Sequence, residues 1–190
     1  MTLQDITATK QRILNAALKE FGTHGLSGAR IDRIAKNGNA SKERLYAYFG
    51  NKAALFHAVL DADFAEAMES VAWADDIPQH AVNLFDAMTS KPYIQRMLIW
   101  GQLQGEGPRM RRQSEGHPSW IPRRAAIRKA QDDGIVAAHW NPEDLITLIF
   151  GLVFAWGVTP GSVDNQSADA QELTRRRNLV YVATVRLCKP

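Results

Sequence analysis

The sequence predicts an all-α protein of about nine helices, a three-helix N-terminal module built on a helix-turn-helix followed by a larger helical domain. Three observations predict it. Apolar residues recur along the 190-residue chain at i, i+3, i+4 spacing, which gathers them on one side of a helix. The stretch 27–56, SGARIDRIAKNGNASKERLYAYFGNKAALF, sets two short helical patterns on either side of a glycine-asparagine turn. Further on, prolines and capping residues mark helix starts at Pro78, Pro92 and Asn141-Pro142.

Taken in order, Thr7 or Thr9 can cap a first helix to about His24, with Ile13, Leu14, Ala17, Leu18 and Phe21 inward. Gly22 and Gly25 bracket its end, and the helix supplies a floor for the next two helices. A second helix over 30–37 aligns Ile31, Ile34 and Ala35. It stops at Gly38-Asn39, because either residue can turn the backbone left-handed at little steric cost. Ser41 restarts the chain by accepting from the next turn's free N–H groups, and Leu45 and Phe49 give the third helix an inward side. Lys42, Glu43, Arg44, Tyr46, Ala47 and Tyr48 then point outward. Two helices so close, the second carrying charged and aromatic groups, can enter a DNA major groove.

Asn51 caps a long helix from Lys52 to about Trp73, with Leu55, Val59, Ala62, Ala67 and Val71 inward. His57 and Asp61 on it have metal-ligand spacing, but a zinc site needs about four ligands, so no metal is expected. Pro78 opens a helix carrying Val82, Leu84, Phe85 and Met88, and Pro92 opens another with Ile94, Met97, Leu98 and Trp100, up to about Gln104. Residues 105–118, with glycines, prolines and Arg109, Arg111 and Arg112, read as the one clear loop, its basic cluster solvated. A helix from about Ser119 to Asp133 stops at Gly134. Asn141-Pro142-Glu143-Asp144 combines a cap, a first-turn proline and acids at the positive helix end. The adjoining run, Leu145 to Trp156, is apolar on nearly every side and needs cover from its own chain and from a second subunit. A last helix from about Ala168 to Leu187 repeats Leu173, Val180 and Leu187 at seven-residue spacing, with Arg175 to Arg177 facing out. Pairing these two helices with their copies makes a four-helix homodimer interface. The competing reading is a monomer whose last helices only close its own core.

Charge divides unevenly: residues 1–60 carry nine Lys and Arg against four Asp and Glu, and the rest carry fourteen against sixteen. The basic end suits a polyanion, since neutralising phosphates releases counterions. One cysteine, Cys188, allows no disulfide within the chain and fits a reducing cytoplasm. No secretory signal and no membrane span is expected, because the most apolar run, 145–158, falls short of the roughly 20 residues a span needs. Enzyme chemistry finds no Gly-rich phosphate loop, no Gly-x-Ser-x-Gly and no metal cluster.

Ile34-Ala35, Ser41-Lys42, Leu45-Tyr46, Tyr48-Phe49, Lys52 and Leu55-Phe56 together resemble the DNA-binding signature of the TetR family of transcriptional regulators. The resemblance covers the first third of the chain. Two departures stand out: Ala29 replaces the family's usual small hydroxyl residue, and Asn39-Ala40 replaces its usual glycine and valine. The resemblance implies a DNA-binding domain over 1–52, a ligand-sensing and dimerisation domain over 53–190, and regulation by a small effector, most commonly as a repressor. DNA contacts are then expected from Ser41, Lys42, Glu43, Arg44, Tyr46 and Ala47, with Tyr48 and Lys52 on phosphates of a double-stranded, near-palindromic operator. Candidates for lining a site for a hydrophobic or aromatic effector are Phe64, Met68, Phe85, Met88, Met97, Trp100, Trp120, Phe150 and Phe154. No cofactor is expected. A sequence-tolerant architectural DNA binder and an all-helical enzyme are the alternatives.

Overall fold

The structure is a computed structural model that describes residues 3–69, 76–116 and 120–189, with side chains for all of these but 3–6, 63–69, 111 and 113–116. Ten helices stand among the described residues: α1 Leu3–Gly28, α2 Ile31–Asn37, α3 Lys42–Phe49, α4 Lys52–Glu69, α5 Ile77–Ser90, α6 Pro92–Leu103, α7 Gly107–Gly116, α8 Trp120–Asp132, α9 Pro142–Val158 and α10 Ala170–Cys188. They form two compact units, one of Met1–Glu66 with Tyr93–Met110, the other of Ala67–Pro92 with Arg111–Pro190.

In the first unit the predicted stripe of α1 meets α2, α3 and α4 around Ile13, Ala17, Phe21, Ile34, Leu45, Leu55, Phe56 and Val59. Phe21 and Phe56 pack edge to face, 5.2 Å apart, which anchors the start of α4 under the module. Met97 of α6 is wholly buried in the same core. The first helix starts earlier than expected. It runs from Leu3, and Thr9 caps nothing: it is buried inside the helix and its Oγ1 accepts from Arg12 Nη2 at 3.0 Å. At the other end Gly25 breaks the helix with φ 65°, and the Trp100 ring lies only 2.8 Å from where a Cβ would stand.

Of the expected loop over 105–118, the stretch Gly107–Gly116 is a helix, α7, which raises the helix number from nine to ten among the described residues, and 117–118 lie outside them. The breakers sit where helices end and begin. Gly105, at φ 79°, closes α6 with its N–H on the Gln102 carbonyl while the Glu106 N–H reaches the Gly101 carbonyl. The Glu106 carbonyl then accepts from Met110, so Pro108 falls in a first turn, where its missing N–H is no loss.

In the second unit α5 packs on α9 and α10 through Ile77, Ala81, Leu84, Phe85 and Met88. Asp76, Asn141 and Asp169 cap α5, α9 and α10 with their side chains. The stripe of α10 buried within the chain is Arg176, Val180, Thr184 and Cys188, spaced by four; of the seven-residue repeat Val180 is buried while Leu173 and Leu187 are half-buried. Arg176 therefore does not face out: it is 3% exposed, bonds Glu172 and Asn165, and lies 5.2 Å from the Trp156 ring.

Candidate nucleic-acid interface

The turn between α2 and α3 is defined by backbone bonds. Asn39 N–H reaches the Lys36 carbonyl and Ala40 N–H reaches the Ala35 carbonyl, with Asn39 at φ 48°. Asparagine thus takes the left-handed closing position that glycine commonly fills. Gly38 has a different task. A Cβ there would stand 3.1 Å from the Ile34 carbonyl oxygen and 3.2 Å from Ile13 Cα, so glycine lets the turn lie directly on α1.

The missing hydroxyl at Ala29 is replaced from a distance. Ala29 is buried, and Arg30, the residue before α2, has no side-chain cap. Its backbone N–H instead donates to Glu20 Oε1 of α1 at 2.8 Å, and Arg33 Nε donates to both Glu20 oxygens at 2.8 and 3.0 Å. Burial raises the Glu20 pKa, but the Arg33 and Arg30 hydrogen bonds, with the charges of Arg33 and His24, outweigh it and hold the carboxyl below its ordinary value. One buried carboxylate thereby joins α1, the start of α2 and the α2 side chain that carries the guanidinium. The local rules of capping did not point to Glu20; a lone acid on the apolar stripe of α1 was the available signal.

Ser41 caps α3 as expected, accepting from the Arg44 N–H at 3.2 Å. Glu43 lies below its ordinary pKa chiefly because it accepts from its own backbone N–H, and next from the Ser41 hydroxyl. Lys42 pairs with Asp32 of α2, whose hydrogen bond and charge raise the lysine pKa. Ser41, Lys42, Glu43, Arg44, Tyr46 and Ala47 are all exposed, and only Leu45 between them is buried. The Arg44 guanidinium makes no hydrogen bond or ion pair among the described residues. Tyr48 is half-buried, with Lys10 Nζ 5.4 Å from its ring and a shielded hydroxyl that has no partner among the described residues. Lys52 Nζ donates to the Ser27 carbonyl at 3.2 Å, and Asn51 Oδ1 caps α4 by accepting from the Ala54 N–H.

The effector candidates fall in separate places. Met97 and Trp100 belong to the first unit, and Phe85 and Met88 are buried on α5. Trp120, Phe150 and Phe154 form one ring cluster in the second unit. Phe64 and Met68 lie outside the residues whose side chains are described. His57 and Asp61 have protein partners, Glu106 and Arg109. No helix among the described residues is long and apolar enough to cross a membrane.

A short capped helix held proud of a three-helix core, its outer face polar and open, defines a helix-turn-helix DNA-binding protein. Residues 13–59 match the family described as bacterial regulatory proteins, tetR family, and residues 76–186 match the tetracyclin repressor-like C-terminal domain. The HTH-type transcriptional repressor SCO4008 of Streptomyces coelicolor is 35% identical over 159 residues, which cover 83% of this chain and 82% of that protein. RutR of Escherichia coli K12 is 44% identical over 55 residues, 29% of this chain and 26% of its own length. Among solved structures, the transcriptional regulator SCO4942 of Streptomyces coelicolor matches with a TM-score of 0.74 and 31% identity, over 94% of this chain and 97% of that one. The chain belongs to the TetR family. It is a ligand-responsive DNA-binding transcriptional regulator and not an enzyme.

Proposed function

We propose that the protein is a cytoplasmic repressor that binds a near-palindromic operator as a homodimer and is released by a small, largely hydrophobic or aromatic molecule. The observation that carries the DNA reading is the outward face of α3, where Arg44 stands exposed, its guanidinium without a partner among the described residues, beside exposed Tyr46 and Ala47. Arginine suits the paired acceptors of guanine, and alanine can meet a thymine methyl. Lys42 and Glu43 join them once DNA competes for the Asp32 and Ser41 contacts. Lys52 holds a phosphate, with two ammonium hydrogens to spare beyond its bond to Ser27, whereas Tyr48, expected outward beside it, packs against the core with its hydroxyl shielded and would have to turn out to join it.

Residues 1–52 serve DNA binding and 53–190 sensing and dimerisation. The dimer reading rests on the outer side of α9 and α10, where Leu148 and Leu179 are 42% exposed and Val182 is 36% exposed. They border an apolar groove of about 500 Å³ completed by Leu152, Ala183, Arg186 and Leu187. A second copy would cover it and place two α3 helices about one DNA turn, roughly 34 to 36 Å, apart. Repression follows the character of the related SCO4008 repressor. The effector signal is assigned to α4, whose residues belong to both compact units, by a shift toward conformers that do not fit the operator. Selecting bound sites from random DNA tests this: a symmetric site released by apolar compounds is expected. Binding without sequence preference, or a site indifferent to every compound, would overturn it.

A further inference from the structure

The cations around α3 differ in what already holds them. Lys42 Nζ lies 2.5 Å from Asp32 Oδ1 of α2, and both side chains are exposed. The Arg44 guanidinium, two residues on, has no partner among the described residues. Lys52 donates to the Ser27 carbonyl, a neutral acceptor that leaves its charge uncompensated. Lys42 instead meets a carboxylate, whose hydrogen bond and charge raise the lysine pKa.

An ion pair this exposed adds little to folding stability, because water screens it and two mobile side chains must be ordered to make it. Its effect on a nucleic-acid partner is larger. Residues 1–60 hold four acids. Glu20 is buried against α2, Glu43 is tied to Ser41 and its own N–H, and Asp5 lies outside the residues whose side chains are described. Asp32 stands out in solvent and cancels one charge of a module whose pull on phosphate depends on positive charge. A free lysine is a point charge on a flexible stem that any phosphate oxygen satisfies, so it strengthens binding to every sequence alike. Tied to a carboxylate, it loses that indiscriminate pull and keeps its remaining donors. An ammonium has three hydrogens. Asp32 takes one, and the two left match the O6 and N7 acceptors of guanine. DNA can therefore share Lys42 with Asp32 without breaking the pair.

We propose that Asp32 is a specificity-determining residue of the DNA interface: it keeps one ammonium hydrogen of Lys42, offers the other two to a single guanine, and withholds the lysine from phosphates elsewhere. This rests on the reading that α3 meets base edges, and it adds a residue of α2 to those that decide which sequence is bound.

The test compares the selected operator with random-sequence DNA, using the full chain and its Asp32→Ala, Lys42→Ala and doubly substituted forms, each first shown to melt as the parent does. Asp32→Ala should bind random DNA about 3-fold or more tighter, and its salt slope should steepen by about 0.9, as one more phosphate contact requires. A merely structural loss would have the opposite sign, weakening all DNA. At the base pair whose preference Lys42→Ala relaxes, Asp32→Ala should lower discrimination from roughly 10-fold to about 3-fold or less. Relative to Lys42→Ala, the double variant should gain no more than about 1.5-fold on random DNA, since the released lysine is gone. Asp32→Asn keeps the shape and removes the charge, so it decides the random-DNA result should Asp32→Ala melt early. Random DNA bound no tighter by either Asp32 variant, discrimination intact in Asp32→Ala, or a gain that survives without Lys42 would each overturn the proposal. A parent with no sequence preference would sink the reading of α3 and this inference together; a selective parent that fails these comparisons sinks the inference alone.

Discussion

The helix-turn-helix and the α9–α10 pair place polar and apolar groups in opposite ways. Around α2 and α3 the inside is apolar apart from Thr9 and Glu20 among the described residues, the latter clamped by Arg33 and the Arg30 amide, and the outside is charged. On α10 an arginine and a threonine lie buried while Leu179, Tyr181 and Val182 face outward. Each surface is complementary to a different solvent substitute: a polar exterior with an exposed guanidinium for a phosphate-lined groove, and an apolar exterior for another protein surface.

The contrast can be broken most forcefully on the apolar side. Leu148→Glu combined with Val182→Glu should yield monomers by sedimentation and lower operator affinity by on the order of 100-fold or more, since two linked half-site contacts become one. Dimers of unchanged affinity would show that this face has no partner. On the polar side the largest loss should come from Gly38→Val, whose new atoms would meet the Ile34 carbonyl and the Ile13 backbone, neither able to swing aside. Urea unfolding should register about 2 to 3 kcal/mol of lost stability, with dimerisation of the folded fraction unaltered.

Glu20→Gln should cost about 1 to 2 kcal/mol at neutral pH. Because the folded-state pKa of Glu20 lies below its ordinary 4.5, its contribution is complete above that value and fades as pH falls through the lowered one. Stability of the parent should therefore drop more steeply than that of Glu20→Gln in this acid range. Parallel curves would mean that the clamp contributes nothing. The finest distinction lies between two cations. Arg44→Ala should relax preference at one base pair by about 1 to 2 kcal/mol, whereas Lys52→Ala should weaken all sequences alike and flatten the salt slope by about 0.9. Identical behaviour of the two variants across many sequences would cancel the division between base reading and phosphate holding.

Much of the molecule is legible in the sequence where the signal is local. Ser41, Asn51 and Asn141 are recognisable as caps because a cap acts on N–H groups two or three residues away. The outward set on α3 follows from the position of Leu45, one buried residue fixing the phase of a short helix, except for Tyr48, which the fold half-buries against the core. Residues 105–118 mislead because Gly105 and Pro108 look alike as breakers in a loop or at a helix junction. Arg176 misleads because its neighbours Arg175 and Arg177 are exposed and only the fold brings Asn165 and Trp156 to it.

By itself the sequence determined the helical class, the position of the turn at Gly38-Asn39, the cap at Ser41 and the family signature, all properties of residues within one or two turns of each other. Tertiary structure alone decided that Glu20 completes the start of α2, that Trp100 holds the break at Gly25, and that Trp120 meets Phe150 with its N–H unanswered among the described residues. The reason is physical: backbone hydrogen bonding is satisfied locally, whereas a buried carboxylate, a close approach or an orphan donor exists only once distant segments have excluded water from it.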